Sequence, residues 1–83
     1  MNIPTMPEGY HLMQEAGFWY VLKDEGLFLK RLLDKEGEEL YFAPTSKSLA
    51  QAAAYAQKHK DAGLRHDQAV PGPEVRISEV KDE

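Results

Sequence analysis

Three short motifs, Glu15-Ala16-Gly17, Asp24-Glu25-Gly26 and Lys35-Glu36-Gly37, interrupt the first half of the chain, with apolar segments between them. A three-residue hairpin loop closes with a residue in the left-handed region, where glycine meets no Cβ penalty. Three such loops predict strands at residues 10–14, 18–23, 27–34 and 38–43, an antiparallel β-meander of about four strands. Residues 27–33, LFLKRLL, are also compatible with a short helix, but a run this short between two turn signals favours a strand.

Residues 44–63, PTSKSLAQAAAYAQKHKDAG, read as one helix. Pro44 ends the preceding strand. Ser48 with Gln51 forms a capping-box signature, and Ser46 is a competing N-cap. Lys58, His59 and Lys60 suit the helix dipole in the last turn, and Gly63 stops the helix. Leu49, Ala52, Ala53 and Ala56 form a narrow stripe bordered by Tyr55, shaped for close approach to a sheet. The fold class is therefore α+β, a meander followed by one helix packed on one sheet face. A single domain covers 1–83, with its core at about 8–63 and a tail at 64–83 that either adds a strand at 74–80 to a sheet edge or runs as an ordered tail.

The loops also set the register. They pair Leu22 with Phe28, Tyr20 with Lys30, Leu32 with Leu40 and Leu12 with Tyr20. One face then collects Tyr10, Leu12, Phe18, Tyr20, Leu22, Phe28, Leu32, Leu40 and Phe42, and is expected under the helix. The other collects Met13, Trp19, Val21, Leu29, Arg31 and Tyr41, with Lys23 and Glu39 toward the rim. A slip of one residue at any loop would exchange faces for one strand. Residues 18–22, FWYVL, are apolar at every position, so their own pattern does not choose between the faces.

The chain has 83 residues, 42% of them hydrophobic, near the lower end of what folds unaided. It has no cysteine, which rules out disulfides, thiolate nucleophiles and thiolate metal sites. No apolar run approaches a membrane span, and the first residues lack the pattern of a signal peptide, so a cytoplasmic protein is expected. Ten basic against 14 acidic residues give a net charge of −4, with no basic cluster beyond Lys30-Arg31, which argues against direct nucleic-acid binding.

Candidate chemistry is sparse. His11, His59 and His66 have no third ligand at a fixed spacing, so no metal site is expected, and His59 and His66 read as exposed residues near a helix end. Ser46 and Ser48 are explained by capping. The glycines stand singly as turns and form no phosphate loop. No catalytic residue and no cofactor follow from the sequence.

The stretches PEGYHLMQEAGFWYVL and PTSKSLAQAAAYA give residues 7–60 a likeness to known proteins. In overall style the chain resembles small single-domain accessory proteins of temperate phages and prophages. That group includes inhibitors of host defence, among them anti-CRISPR proteins, which act by docking on a host protein without catalysis. The resemblance implies a non-catalytic protein-binding module, and it carries over no functional residue. The expected partner is another protein, a host protein or a second copy in a homodimer. It would meet Met13, Trp19, Val21, Leu29, Arg31 and Tyr41, an apolar centre with aromatic and arginine anchors. The alternative is a nucleic-acid or ribonucleoprotein binder using Trp19, Tyr41, Lys23 and Arg31.

Overall fold

The computed structural model describes residues 2–72; the strand expected at 74–80 lies outside them. Strands β1 (Tyr10–Glu15), β2 (Phe18–Glu25), β3 (Phe28–Arg31) and β4 (Tyr41–Phe42) form an antiparallel sheet, followed by helix α1 (Ser46–Asp61). The α+β class and the single helix on one sheet face match the sequence expectation. The register does not.

Both of the first two loops are one residue shorter than the motifs suggested. Glu15 pairs with Phe18 across a turn in which Ala16 (φ 54°) and Gly17 (φ 83°) are both left-handed. That is the type I′ geometry whose twist matches the flanking strands. Glu25 pairs with Phe28, so Gly26 (φ 71°) leads a two-residue turn, as glycine does in type II′. Leu12 therefore faces Val21 rather than Tyr20, and Leu22 faces Arg31 rather than Phe28. Both shifts are odd, so β2 is turned over relative to β1 and β3.

The third loop keeps the expected alignment, with Leu33 bridged to Glu39 and the Leu40 N–H donating to the Leu32 carbonyl at 3.0 Å. Yet β4 pairs with β2, through Trp19–Phe42 and Tyr20–Tyr41, and not with β3. The detour that separates β3 from β4 turns around Asp34, which is buried. Its Oδ1 accepts the N–H groups of Glu36 and Glu38, each at 2.9 Å. β3 and β4 thus occupy successive parts of one edge of β2.

The core consists of Tyr10, Val21, Leu32, Leu40 and Phe42 from the sheet side against Ala52, Tyr55 and Ala56 of α1. Trp19 and Leu12 pack at its margin, as do Met6 from the N-terminal arm and Val70 from beyond the helix. Phe18, Tyr20 and Leu22, expected beneath the helix, lie instead on the opposite face, and Phe28 is 65% exposed near the β2–β3 hairpin tip. Ala52 and Ala56 are the fully buried alanines of the stripe, while Ala53 is only half-buried.

The helix is capped three residues before its capping-box signature at Ser48 and one before the competing Ser46. Thr45 is the N-cap, accepting the Ser48 N–H at 3.1 Å, and Ser48 is itself buried. At the other end, Gly63 (φ 67°) takes the left-handed conformation that stops the helix. His59 is 0% exposed, a correction to its reading as a surface histidine. Its Nε2 lies 3.0 Å from the Gln68 carbonyl, which can only accept, so Nε2 carries the proton and Nδ1 accepts from the Tyr10 hydroxyl at 2.7 Å. His66 is also tied down: its backbone N–H and its Nδ1 meet the two Glu25 carboxylate oxygens at 2.6 and 2.8 Å. These contacts, with the Leu33 N–H to His66 carbonyl bond and the Val70 N–H to Tyr55 hydroxyl bond, hold residues 64–70 against the body of the domain.

Candidate partner-binding face

Strand alternation sends Trp19 and Val21 of β2 toward α1, and Phe18, Tyr20 and Leu22 away from it. The face away from the helix is completed by Met13 from β1, Leu29 and Arg31 from β3, and Tyr41 from β4. Of the six residues singled out from sequence, Met13, Leu29, Arg31 and Tyr41 are brought together here. Val21 is 1% exposed in the core and Trp19 packs on the core's margin, so neither lies on this face. Phe18 and Tyr20 take their places. The signal that would have found them is the Ala16-Gly17 pair read as a two-residue I′ turn.

Arg31 organises the face. Its guanidinium lies over the Tyr20 ring at 4.3 Å, donates through Nη1 to Glu39 at 2.9 Å, and bonds Glu15 through Nη2. The Glu15 bond, with Glu39 beside it, holds the guanidinium firmly protonated. A cation stacked on an aromatic face and bridged to two carboxylates has its charge balanced in place. Tyr41 meets Phe18 edge-on at 5.1 Å and lies 6.5 Å from Tyr20. The result is a three-ring aromatic platform beside a neutralised arginine.

Exposure is substantial at the margins, with Phe18 at 38% and Leu29 at 52%. Next to the rings, Tyr20, Gly37, Glu38, Glu39 and Tyr41 line an open depression of about 500 Å³. His11 and Asp24, 3.4 Å apart and exposed, mark the rim toward the β2–β3 hairpin.

The geometry can hold apolar and aromatic groups and, through the glutamates, a cation. Among the described residues no group of three or more His, Cys, Asp or Glu side chains could hold a metal ion, and no helix is long and apolar enough to cross a membrane. Comparison with known proteins gives no matching family, no matching curated protein and no matching solved structure.

Proposed function

We propose that this chain is a small non-catalytic protein-binding module that acts by covering part of a partner's surface with its helix-free sheet face. The observation that carries the reading is the set of exposed Phe18 and Leu29 with half-buried Tyr20 and Tyr41 around an Arg31 already balanced by Glu15 and Glu39. Contiguous apolar surface of this make-up marks partner sites on small soluble domains. The resemblance of residues 7–60 to phage accessory proteins points to a host protein as that partner, as for inhibitors of host defence of the anti-CRISPR kind. The nucleic-acid alternative is weaker on this geometry. Of the four residues it invoked, Trp19 belongs to the helix side, Lys23 shares that side and lies over the Tyr10 ring, and Arg31 is paired.

The test is capture of partners from the native host by the parent protein and by Leu29→Asp and Tyr41→Ala variants. The variants should keep the fold and lose the partner. Binding should change little as salt rises from about 50 to 200 mM, whereas a phosphate-dominated contact would weaken by orders of magnitude. Retention of the partner by both variants would refute the assignment.

A further inference from the structure

Strand β1 is the long open edge of the sheet. On the other side of β2, β3 and β4 run for only four and two residues, whereas β1 runs for six, with no proline, lysine or bulge to discourage pairing. Antiparallel pairing alternates which residues turn their backbone groups toward a neighbour. Glu15 and Phe18 flank the two-residue turn, and the Asp24 N–H donates to the Gly9 carbonyl at 2.8 Å, so the odd-numbered residues of β1 bond β2. Leu12 and Gln14 therefore direct N–H and C=O outward, where these groups meet no hydrogen-bond partner among the described residues. Helix α1 packs over β2 and β4, one strand in from this edge.

The same six residues, YHLMQE, are complementary to themselves. Turned antiparallel about Met13, they set Leu12 opposite Gln14 and His11 opposite Glu15. The outward groups of Leu12 and Gln14 then form the hydrogen-bonded pairs, and Met13 meets its own copy in the closer pair between them. His11, Met13 and Glu15 all lie on the helix-free side. His11 is already 3.4 Å from Asp24, and Glu15 already bonds Arg31. The pairing links these into one row of alternating acidic and basic groups, running from Asp24 and His11 to Glu15 and Arg31 of the second copy. Moving the register by two residues either way puts Met13 opposite His11 or Glu15 and loses the charge match, so the sequence selects one alignment.

We propose that the β1 edge binds a second copy of this chain, by antiparallel β1–β1 pairing centred on Met13 about a two-fold axis. The two sheets become one continuous sheet, and the two aromatic platforms share its helix-free side. The joint uses backbone groups and the row His11, Met13 and Glu15, and it stands whether or not the helix-free face binds a host protein.

The experiment combines solution mass with cross-linking. Light scattering of the full chain should show a dimer that dissociates on dilution between about 1 mM and about 1 μM. The chain has no cysteine, so Met13→Cys carries a single thiol. Across the non-hydrogen-bonded pair the two Cα atoms stand about 4.5 Å apart, within the range a disulfide spans. Mild oxidation should convert Met13→Cys to a covalent dimer. Leu29→Cys, exposed on the same side but two strands from the edge, should stay largely reduced. Gln14→Pro removes an N–H that serves no bond within its own sheet, so it should keep the far-UV CD spectrum and remain monomeric throughout. A parent that is monomeric over the whole range would overturn the proposal. So would faster cross-linking of Leu29→Cys than of Met13→Cys, which would put the contact on the sheet face. A monomer whose Leu12 and Gln14 amides resist hydrogen exchange would overturn it too, because the same chain would then hold the edge. Loss of partner capture in Leu29→Asp leaves the dimer in place, so the two readings fall separately.

Discussion

The two faces of β2 come from one apolar run, FWYVL, and meet opposite fates. Trp19 and Val21 pack beneath a helix whose buried stripe is Leu49, Ala52, Tyr55, Ala56 and His59. Phe18, Tyr20 and Leu22, of equal hydrophobicity, point to a face that no helix or strand covers among the described residues. Among the described residues the chain supplies one helix, and one helix covers one face. The second face keeps its aromatic groups in order by other means, with Arg31 pinning Tyr20 and bridging β1 to the loop before β4. Apolar content therefore says that both faces matter, while the layer arrangement says which one holds the fold together.

The comparison breaks most visibly under large-to-small substitution. Phe42→Ala on the helix side removes a ring that is 1% exposed, and the expected cost is about 3–5 kcal/mol. Leu29→Ala on the other face should cost about 0.5 kcal/mol or less, as for substitutions away from the core. Urea unfolding of the two variants measures the contrast directly. Equal losses would mean that the helix-free face is also an interior.

A smaller effect sharpens what closes the helix side. Tyr10→Phe leaves the buried His59 Nδ1 without its donor and should cost about 1–3 kcal/mol. The same site fixes a pH dependence. Burial, with the nearby Lys23 charge, holds His59 below its ordinary value of 6.5 against the opposing pull of its backbone bonds and Glu25. The unfolded chain takes up this proton first, so the contribution of neutral His59 is complete above about pH 6.5 and is lost as pH falls below it. Glu25 adds a later loss. Burial pushes its carboxyl up, but the His66 backbone and side-chain bonds, with the charges of His66 and Lys23, outweigh that and hold it below 4.5. Its contribution is present above pH 4.5 and disappears as pH falls through the lowered value. Thermal melts between about pH 7 and pH 5 should show a flatter profile for His59→Gln than for the parent. An unchanged slope would place the proton uptake elsewhere.

The strand order β1-β2-β3, the helix and its stop at Gly63 were legible because glycine spacing, periodicity and charge at the helix end are local signals. The membership of β1, β3 and β4 in each face was legible too: Tyr10, Leu12, Leu32, Leu40 and Phe42 are inward, and Met13, Leu29, Arg31 and Tyr41 are outward, as the pattern predicts. Strand β2 was misread because its apolar residues do not alternate, so its facing rests wholly on two loop lengths. Each glycine was taken to close a three-residue loop, but Gly17 ends a two-residue turn and Gly26 begins one. The buried His59 was missed for a different reason. Its partners are Tyr10 and the Gln68 carbonyl, and no local pattern joins residues so far apart in sequence.

The smallest effect tests the joint on which the facial assignment turns. Ala16 occupies the first position of the β1–β2 turn at φ 54°, where an L-residue other than Asn, Asp or Gly is strained by its Cβ. Ala16→Asn would create the Asn-Gly pair that a two-residue I′ turn prefers, and should stabilise the domain by about 0.5–1 kcal/mol. Inserting one glycine between Ala16 and Gly17 should do the reverse. The inserted residue lengthens the loop between Glu15 and Phe18 to three residues, which keeps Leu12 opposite Val21 but loses the I′ turn, so a loss of about the same size is expected. Had the loop been three residues long, Asn at position 16 would gain nothing. A stabilised Ala16→Asn protein therefore supports the two-residue turn, and with it the side of FWYVL that faces the helix. A neutral Ala16→Asn would return Phe18 and Tyr20 to the interior and remove the aromatic platform from the surface.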